Sequence, residues 1–335
     1  MSGARLLTGD ALAVLRTLPD GLARCCVTSP PYFGLRDYGM DGQLGLEPTP
    51  DAYVARMVEV FREVRRVLSD DGTLWLNVGD SYAAMRSYQV PSTKGGAKHS
   101  PAQGKLGASV VPDGLKGKDL VGIPWRLAFA LQSDGWYLRS DVIWAKNNPM
   151  PESVTDRPTK AHEYVFLLSK QARYYYDAAA IAEPVTESTT ARLAQDVDHQ
   201  RGSDRVPGKT NGRMKAVPPR FGGSKYGDAD TPESRTKSGK PYIATATRNA
   251  RTVWTIATRG YAGAHFATMP PELAQRCVLA GSAPGDTVLD PFGGSGTTAM
   301  VAVGAGRDAI HIDLNPAYYA LAVDRIGPML CEVVA

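Results

Sequence analysis

Short apolar runs and longer amphipathic stretches alternate along the chain, and the alternation predicts strands separated by helices. Runs at Leu6 to Thr8, Ala23 to Val27, Thr73 to Val78, Tyr137 to Trp144, Val165 to Ser169, Thr287 to Asp290 and Ala309 to Asp313 read as short, largely buried strands. Between them, apolar positions recur every three or four residues. The stretch from about Thr49 to Leu68 carries Met57, Val60, Phe61, Val64 and Leu68 on one face, and that from about Pro124 to Asp134 carries Trp125, Leu127, Ala128 and Leu131. Helices are likewise expected over Ala11 to Leu18, Glu272 to Ala280 and Ala299 to Ala305, with Pro19-Asp20-Gly21 and Asp70-Asp71-Gly72 closing the first two helices of the chain. The pattern suits one large α/β domain with an inserted or appended module.

Two stretches lose this periodicity. Ala83 to Asp119 is rich in Gly, Ser, Lys and Pro and is expected to form a flexible loop. From Glu183 to about Thr252, Gly, Pro, Lys and Arg accumulate while apolar spacing nearly vanishes. Charge marks the same places. The chain carries only +4 overall, yet residues 86–118 hold 6 basic against 1 acidic residue and residues 183–252 hold 13 against 8, leaving −6 elsewhere. Positive charge gathered on loop-like segments is what a phosphate-tracking surface needs; solvated loops that are merely basic would look the same.

Apolar content of 43% and charged content of 21% are ordinary for a globular protein, so composition does not point to a disordered or fibrous chain. The N-terminus runs straight into Leu6-Leu7-Thr8-Gly9-Asp10, with no basic region leading into a long apolar core. Secretion and membrane attachment are therefore not expected, and the cytoplasm is the default location. Cys25, Cys26, Cys277 and Cys331 form no C-x-x-C pair and read as reduced core residues. The five histidines show no metal-ligand spacing, so no metal is expected.

The chemistry gathers in two motifs. Thr28-Ser29-Pro30-Pro31-Tyr32 follows the second apolar run. Two prolines remove two backbone donors and prevent the strand from continuing, which leaves a stiff rim rich in acceptors. Ser29 and the Pro30 carbonyl can accept hydrogen bonds from an amino group, and Tyr32 offers a flat face to a planar ring. Near the other end, the strand Thr287 to Asp290 leads into Pro291-Phe292-Gly293-Gly294-Ser295-Gly296-Thr297-Thr298 and a helix, and Asp313 closes the next strand about twenty residues on. A glycine-rich turn at a helix N-terminus, followed by a strand ending in an acid, is the layout of Rossmann-like nucleotide sites. The G-x-G-x-x-G dinucleotide fingerprint is absent, because Thr297, Thr298 and Ala299 follow Gly294-Ser295-Gly296.

Together these motifs make the chain resemble the amino-methylating DNA methyltransferases of the permuted, beta-type arrangement, in which S/D-P-P-Y precedes D-P-F-x-G-S-G-T-T. The resemblance extends over Leu7 to Asp10, Thr28 to Gly39, Asp141 to Tyr176, His265 to Cys277 and Asp290 to Ala322. It implies a Rossmann-like S-adenosylmethionine-dependent methyltransferase fold with a mainly parallel sheet, circularly permuted motif order and an inserted target-recognition region. Residues 1–182 would form the catalytic half, 183–252 the target-recognition region and 253–335 the cofactor half. Ser29, Pro30, Pro31 and Tyr32 would be catalytic. Asp10, Thr28, Phe266, Asp290, Phe292, Gly294, Ser295, Gly296, Thr297 and Asp313 would bind the cofactor, although Asp10 could equally serve as a helix cap. Trp144, Lys146, His162 and Glu163 are candidates for the base pocket; alternatively Trp144 belongs to the core, and His162 with Glu163 only orients a loop.

The resemblance also implies double-stranded DNA as substrate, a cognate restriction endonuclease as a partner, and a monomer or homodimer. Carbon-five cytosine methylation needs a cysteine nucleophile, which this rim lacks, so direct transfer to an exocyclic amine is expected. That nitrogen is paired in duplex DNA, so the base would be flipped out onto Tyr32. Within the resembled family S-P-P-Y is more frequent in cytosine-N4 enzymes and D-P-P-Y in adenine-N6 enzymes, so Ser29 favours cytosine, with adenine as the alternative. RNA as substrate, a dinucleotide-dependent oxidoreductase and a non-catalytic DNA-binding protein are the other readings.

Overall fold

The first two helices of the chain start where side chains take up orphan amides. Asp10 accepts from the Ala13 amide at 2.8 Å and starts α1 (Ala11–Thr17) after β1 (Ala4–Thr8). Thr49 accepts from Ala52 at 3.1 Å ahead of Pro50, opening α2 (Pro50–Val67). The computed structural model describes residues 2–35, 39–83, 111, 114–186, 247–258 and 269–334. Between α1 and α2 lies β2 (Ala23–Thr28), and after α2 come β3 (Leu68–Val78), α3 (Ile123–Ser133), β4 (Tyr137–Ala145) and β5 (His162–Ser169). Two short strands, β6 (Glu183–Pro184) and β7 (Thr247–Arg248), precede β8 (Val253–Thr255) and α4 (Pro271–Gly281). The chain then runs through β9 (Thr287–Asp290), α5 (Thr297–Gly304), β10 (Asp308–Asp313), α6 (Pro316–Ile326) and β11 (Cys331–Val334).

Among the described residues nine strands form one sheet in the order β11-β1-β10-β9-β2-β3-β5-β4-β8, and of these only β5 runs against its neighbours. Alternate side chains of each strand enter opposite cores. Cys26, Leu74, Leu76, Phe166 and Leu168 meet α1, α2 and α3, whereas Cys25, Val27, Trp75, Val165 and Leu167 meet α4, α5 and α6. Strands covered on both faces in this way read as continuous apolar runs, which is why the pattern located them. Each fully buried Leu, Val or Phe contributes about 1.5–3 kcal/mol relative to leaving it in water. This is the expected α/β architecture, with the first strand of the chain lying beside β10 from the C-terminal half.

Two expectations are corrected. Asp70-Asp71-Gly72 does not separate α2 from the next strand: β3 starts at Leu68, directly after the helix, and its register with β2 shifts between Ala23 and Cys25. Arg24 holds this irregular start by pairing with Asp71. β5 begins at His162, ahead of its apolar run, because Glu163 and His162 pair with Trp144 and Ala145 of β4. The periodicity does not reveal α6 or β11; α6 buries only Ala322 and Ile326.

The chain divides into two units, Met1–Ile181 with Arg251–Ala335, and Ala182–Ala250. In the second, β6 and β7 pair antiparallel and Arg248 lies 3.3 Å from Glu183. Most of the region expected to recognise the target, residues 187–246, lies outside the described residues, as do 84–110 and 112–113 of the expected basic loop. Among the described residues no helix is long and apolar enough to cross a membrane, and no group of His, Cys, Asp and Glu could hold a metal ion. Cys25, Cys26 and Cys277 are buried free thiols, and burial pushes Cys25 up to about 12.

His311 on β10 is 2% exposed, and neither ring nitrogen finds a hydrogen-bond partner among the described residues. Burial lowers its pKa from 6.5 to about 4. Between those values the unfolded chain holds a proton that the folded protein refuses, so stability present above the unfolded pKa is lost as the pH falls. The whole loss is about 3 kcal/mol, and roughly 2 kcal/mol of it is gone by pH 5. His311→Val is therefore expected to lose less melting temperature than the unaltered protein between pH 7.5 and pH 5. Equal losses in both would show that His311 does not carry the acid sensitivity.

Candidate active site

β2 and β9 pair at the centre of the sheet through Cys25 with Val288 and Cys26 with Leu289. The chain leaves β2 toward α2 on one face and leaves β9 into α5 on the other. A crevice opens where such connections diverge, at the carboxyl ends of the strands. Here the two ends are tied together: Thr28 Oγ1 donates to Asp290 Oδ1 at 2.6 Å in a fully buried contact, and the Phe292 amide donates to the same oxygen at 3.1 Å. Burial raises the Asp290 carboxyl to about 6, against the pull of these hydrogen bonds.

On the β2 side the two prolines turn the chain outward, and the Pro31 carbonyl accepts from Tyr53 OH on α2 at 2.8 Å. Tyr32 returns under the rim. Its hydroxyl donates to Glu163 Oε2 at 2.5 Å and receives Asn77 Nδ2 at 2.9 Å. Asn77 Nδ2 also lies 3.1 Å from Glu163 Oε2 and 3.3 Å from Ser29 Oγ. Lys146 Nζ pairs with the other Glu163 oxygen and stands 4.6 Å from the Trp144 ring centroid. Burial first, and then the Glu163 carboxylate, hold the Tyr32 phenol well above its ordinary pKa, so it stays a neutral donor. The ring fits because residue 79 is glycine: a Cβ there would sit 2.5 Å from Tyr32 Cε2.

On the β9 side the loop lies flat against the sheet. A Cβ on Gly293 would fall 2.0 Å from His311 Nδ1, so only glycine allows this approach. The Gly294 amide donates to Asp313 Oδ2 at 2.8 Å and the Asn315 amide to Oδ1 at 2.8 Å. Burial raises the Asp313 carboxyl while these two amides pull it back. Arg325 of α6 takes the hydroxyls of Ser295 and Thr297, at 2.6 and 2.9 Å.

A cavity of about 840 Å³ joins the two sides. Its lining brings together Ser29, Pro30, Pro31, Tyr32, Asp10, Asp290, Phe292, Gly294, Ser295, Thr297, Asp313, Trp144, Lys146 and Glu163. Thr28 is not on this surface; it is fully buried behind it, bonded to Asp290. Gly296 also lies behind, where a side chain would strike Ala322. His162 stands off the lining, its ring edge-on to Tyr164 at 5.3 Å. Phe266 lies outside the described residues. Asp10 both caps α1 and lines the cavity, and Trp144 is a core residue, 4% exposed with Nε1 bonded to the Ile256 carbonyl at 2.8 Å, that also lines it.

Asn77 is the participant that sequence reasoning missed. Its signal was available, since it interrupts Leu74-Trp75-Leu76 and Val78 in a strand buried on both faces, where a polar side chain must find partners. Asp80, two residues beyond the end of β3, serves structure instead: it accepts the Gly122 and Ile123 amides at 3.0 and 3.2 Å and starts α3. Lys160, Glu152, Met269 and Tyr318 also line the cavity. Nothing in their spacing singles them out.

The DNA methylase family matches residues 23–324. The type II methyltransferase M.Cfr9I of Citrobacter freundii is 45% identical over 327 residues, 97% of this chain and 88% of that protein. The type II methyltransferase M.XycI of Xanthomonas campestris pv. cyanopsidis is 45% identical over 335 residues, 100% of this chain and 91% of that one. Among solved structures, PvuII DNA methyltransferase, described as cytosine-N4-specific, shares the fold with a TM-score of 0.59 at 18% identity over 97% of this chain and 86% of its own. A putative DNA modification methylase of Thermus thermophilus, TTHA0409, solved with S-adenosyl-L-methionine, does so with a TM-score of 0.57 at 22% identity over 99% and 98%. Two motifs at one crevice, a family match over most of the length and relatives at 45% identity over nearly the whole of this chain converge: the chain belongs to the DNA methylase family.

Proposed function

We propose that this DNA methyltransferase uses S-adenosylmethionine to methylate the N4 amino group of a cytosine flipped out of duplex DNA. The observation that supports it most directly is the Ser29 rim, presented into the same cavity as the Gly293–Thr298 loop and braced from behind by Tyr32, Asn77 and Glu163. The residues present fit the cofactor. Asp313 and Asp10 offer acceptors, Phe292, Met269 and Tyr318 offer apolar surface, and the loop offers backbone where a side chain is excluded at Gly293. Because Arg325 already holds the Ser295 and Thr297 hydroxyls, those two residues would serve through their backbone. When bound, the cofactor supplies an electrophilic methyl group on a sulfonium.

The chain's own residues do the rest. An exocyclic amine on a pyrimidine delocalises its lone pair into the ring and is a weak nucleophile. Ser29 Oγ and the Pro30 carbonyl accept its two hydrogens and leave the lone pair pointing away from the rim. The Tyr32 ring supports the base, and its position is fixed from two strands at once, by Asn77 on β3 and Glu163 on β5. Holding both reactants at fixed distance and angle supplies most of the acceleration in such direct transfers. Ser29 rather than an aspartate at the head of the rim favours cytosine over adenine. Residues 1–182 act as the catalytic half, 253–335 as the cofactor half, and the basic 183–252 region reads the DNA sequence. A cognate restriction endonuclease is the natural partner, as the type II names of the relatives suggest.

Incubation with unmethylated DNA and methyl-labelled S-adenosylmethionine, followed by digestion to nucleosides, is expected to yield N4-methylcytosine by mass spectrometry. N6-methyladenine would overturn the base assignment and leave the enzyme class standing, and label in RNA alone would overturn the substrate. Ser29→Ala is expected to retain cofactor affinity and lose turnover by a factor of about 100, the order of magnitude for losing a positioned transition-state partner; an unaltered rate would remove Ser29 from the chemistry.

Glu163 and Asn77 act through Tyr32 and form one unit. Glu163→Ala and Asn77→Ala are each expected to lower kcat by about 10- to 100-fold with the KM for the methyl donor nearly unchanged. The double variant should lose far less than the product of the two. Additive losses, or losses confined to KM, would show that the pair does not position Tyr32.

A further inference from the structure

Beyond the rim, the loop from Lys146 to Ala161 joins β4 to β5 over the cavity mouth. It carries Pro149-Met150-Pro151, and all three residues line the cavity. Met150 is 83% exposed, against 36% for Leu35 on the facing lip. Isolated exposed apolar residues are common and need no explanation by themselves. This one differs in how firmly it is held.

Pro149 and Pro151 flank Met150 and fix their own φ angles. The Asn148 side chain clasps Thr258, accepting from its amide at 2.8 Å and donating to its carbonyl at 3.0 Å. The base of the loop is closed by the Lys146 amide on the Ala161 carbonyl at 2.8 Å. On the far side Arg157 pairs with Glu152 and lies 3.8 Å above the Tyr82 ring, while Lys118 reaches Asp156 at 2.6 Å. The loop therefore holds an apolar side chain in water, at the entrance through which a base must pass.

We propose that Met150 is the wedge that enters the base stack and fills the space vacated by the extruded cytosine. This rests on the reading above that the protein methylates an amino group of a base taken from duplex DNA. Extruding a base costs its pairing and stacking, and the hole it leaves exposes the faces of its neighbours. An apolar side chain inserted between base steps covers those faces and slows the return of the base. Methionine suits the task because it is unbranched and its polarisable sulfur packs well against aromatic faces. Leu35, shorter and less exposed, stays at the wall. The step is non-covalent and needs no further reactant.

The test uses the full-length protein and two duplexes carrying the sequence that mapping of its labelled product identifies. One is fully paired; in the other the target base stands opposite an abasic position, so that much of the extrusion cost is already removed. Met150→Ala is expected to lower single-turnover methylation of the paired duplex by about tenfold or more and that of the abasic duplex by less than about twofold. Met150→Leu should recover most of the loss. Met329→Ala, which removes a methionine 94% exposed and remote from the cavity lining, should change neither rate. An unchanged rate on the paired duplex, or an equal loss on both duplexes, would overturn the wedge while leaving the methyltransferase intact. Failure of the unaltered protein to label either duplex would instead overturn the underlying reading, and the wedge with it.

Discussion

The pairing of β2 with β9 is the contact on which the rest of the molecule depends. It is short, yet it sets the strand carrying Ser29-Pro30-Pro31-Tyr32 beside the strand that leads into the glycine loop. The buried Thr28–Asp290 hydrogen bond at 2.6 Å then locks the two strand ends to a common height. Asp290 stays buried and costly as a charge, with its carboxyl raised to about 6, because it does two jobs on one oxygen: it fixes the end of β2 and the first amide of the loop. That is the sense in which a polar group in the core sets alignment rather than adding stability.

Reversal of a single strand completes the site. Every parallel strand can contribute only its carboxyl end to the active edge. β5 runs the other way, so its first residues, His162 to Tyr164, arrive there instead. Glu163 can thus meet Asn77 from β3 and Lys146 from the end of β4 and hold Tyr32 between them. With β5 parallel, Ser169 would stand at that edge and the tyrosine would lose its acceptor.

Close approach is achieved by omission of side chains. Gly79 makes room for the Tyr32 ring, and Gly293 lets the loop lie on His311. The histidine gains nothing from its position: it is buried, neutral and unpartnered among the described residues. The loop lying on it is nonetheless the one that lines the cavity.

Strand and helix positions were legible in the residues because most strands are covered on both faces and the longer helices keep a clean apolar stripe. Ser29 to Tyr32 and Asp290 to Thr297 were legible for a different reason: their proline and glycine content imposes backbone shapes that few contexts require. What the residues by themselves determined is therefore the order of most of the elements, the two chemical motifs and the family. They did not place α6, whose buried face is two residues wide, or start β5 at His162, because strand pairing with β4 decides that boundary. The part of Asn77 and the clamp on Tyr32 depended on which strand ends meet across the sheet. Sequence neighbours carry local preferences, but Tyr32 and Glu163 are 131 positions apart, and only the folded sheet, by placing β5 antiparallel beside β3, brings them within a hydrogen bond.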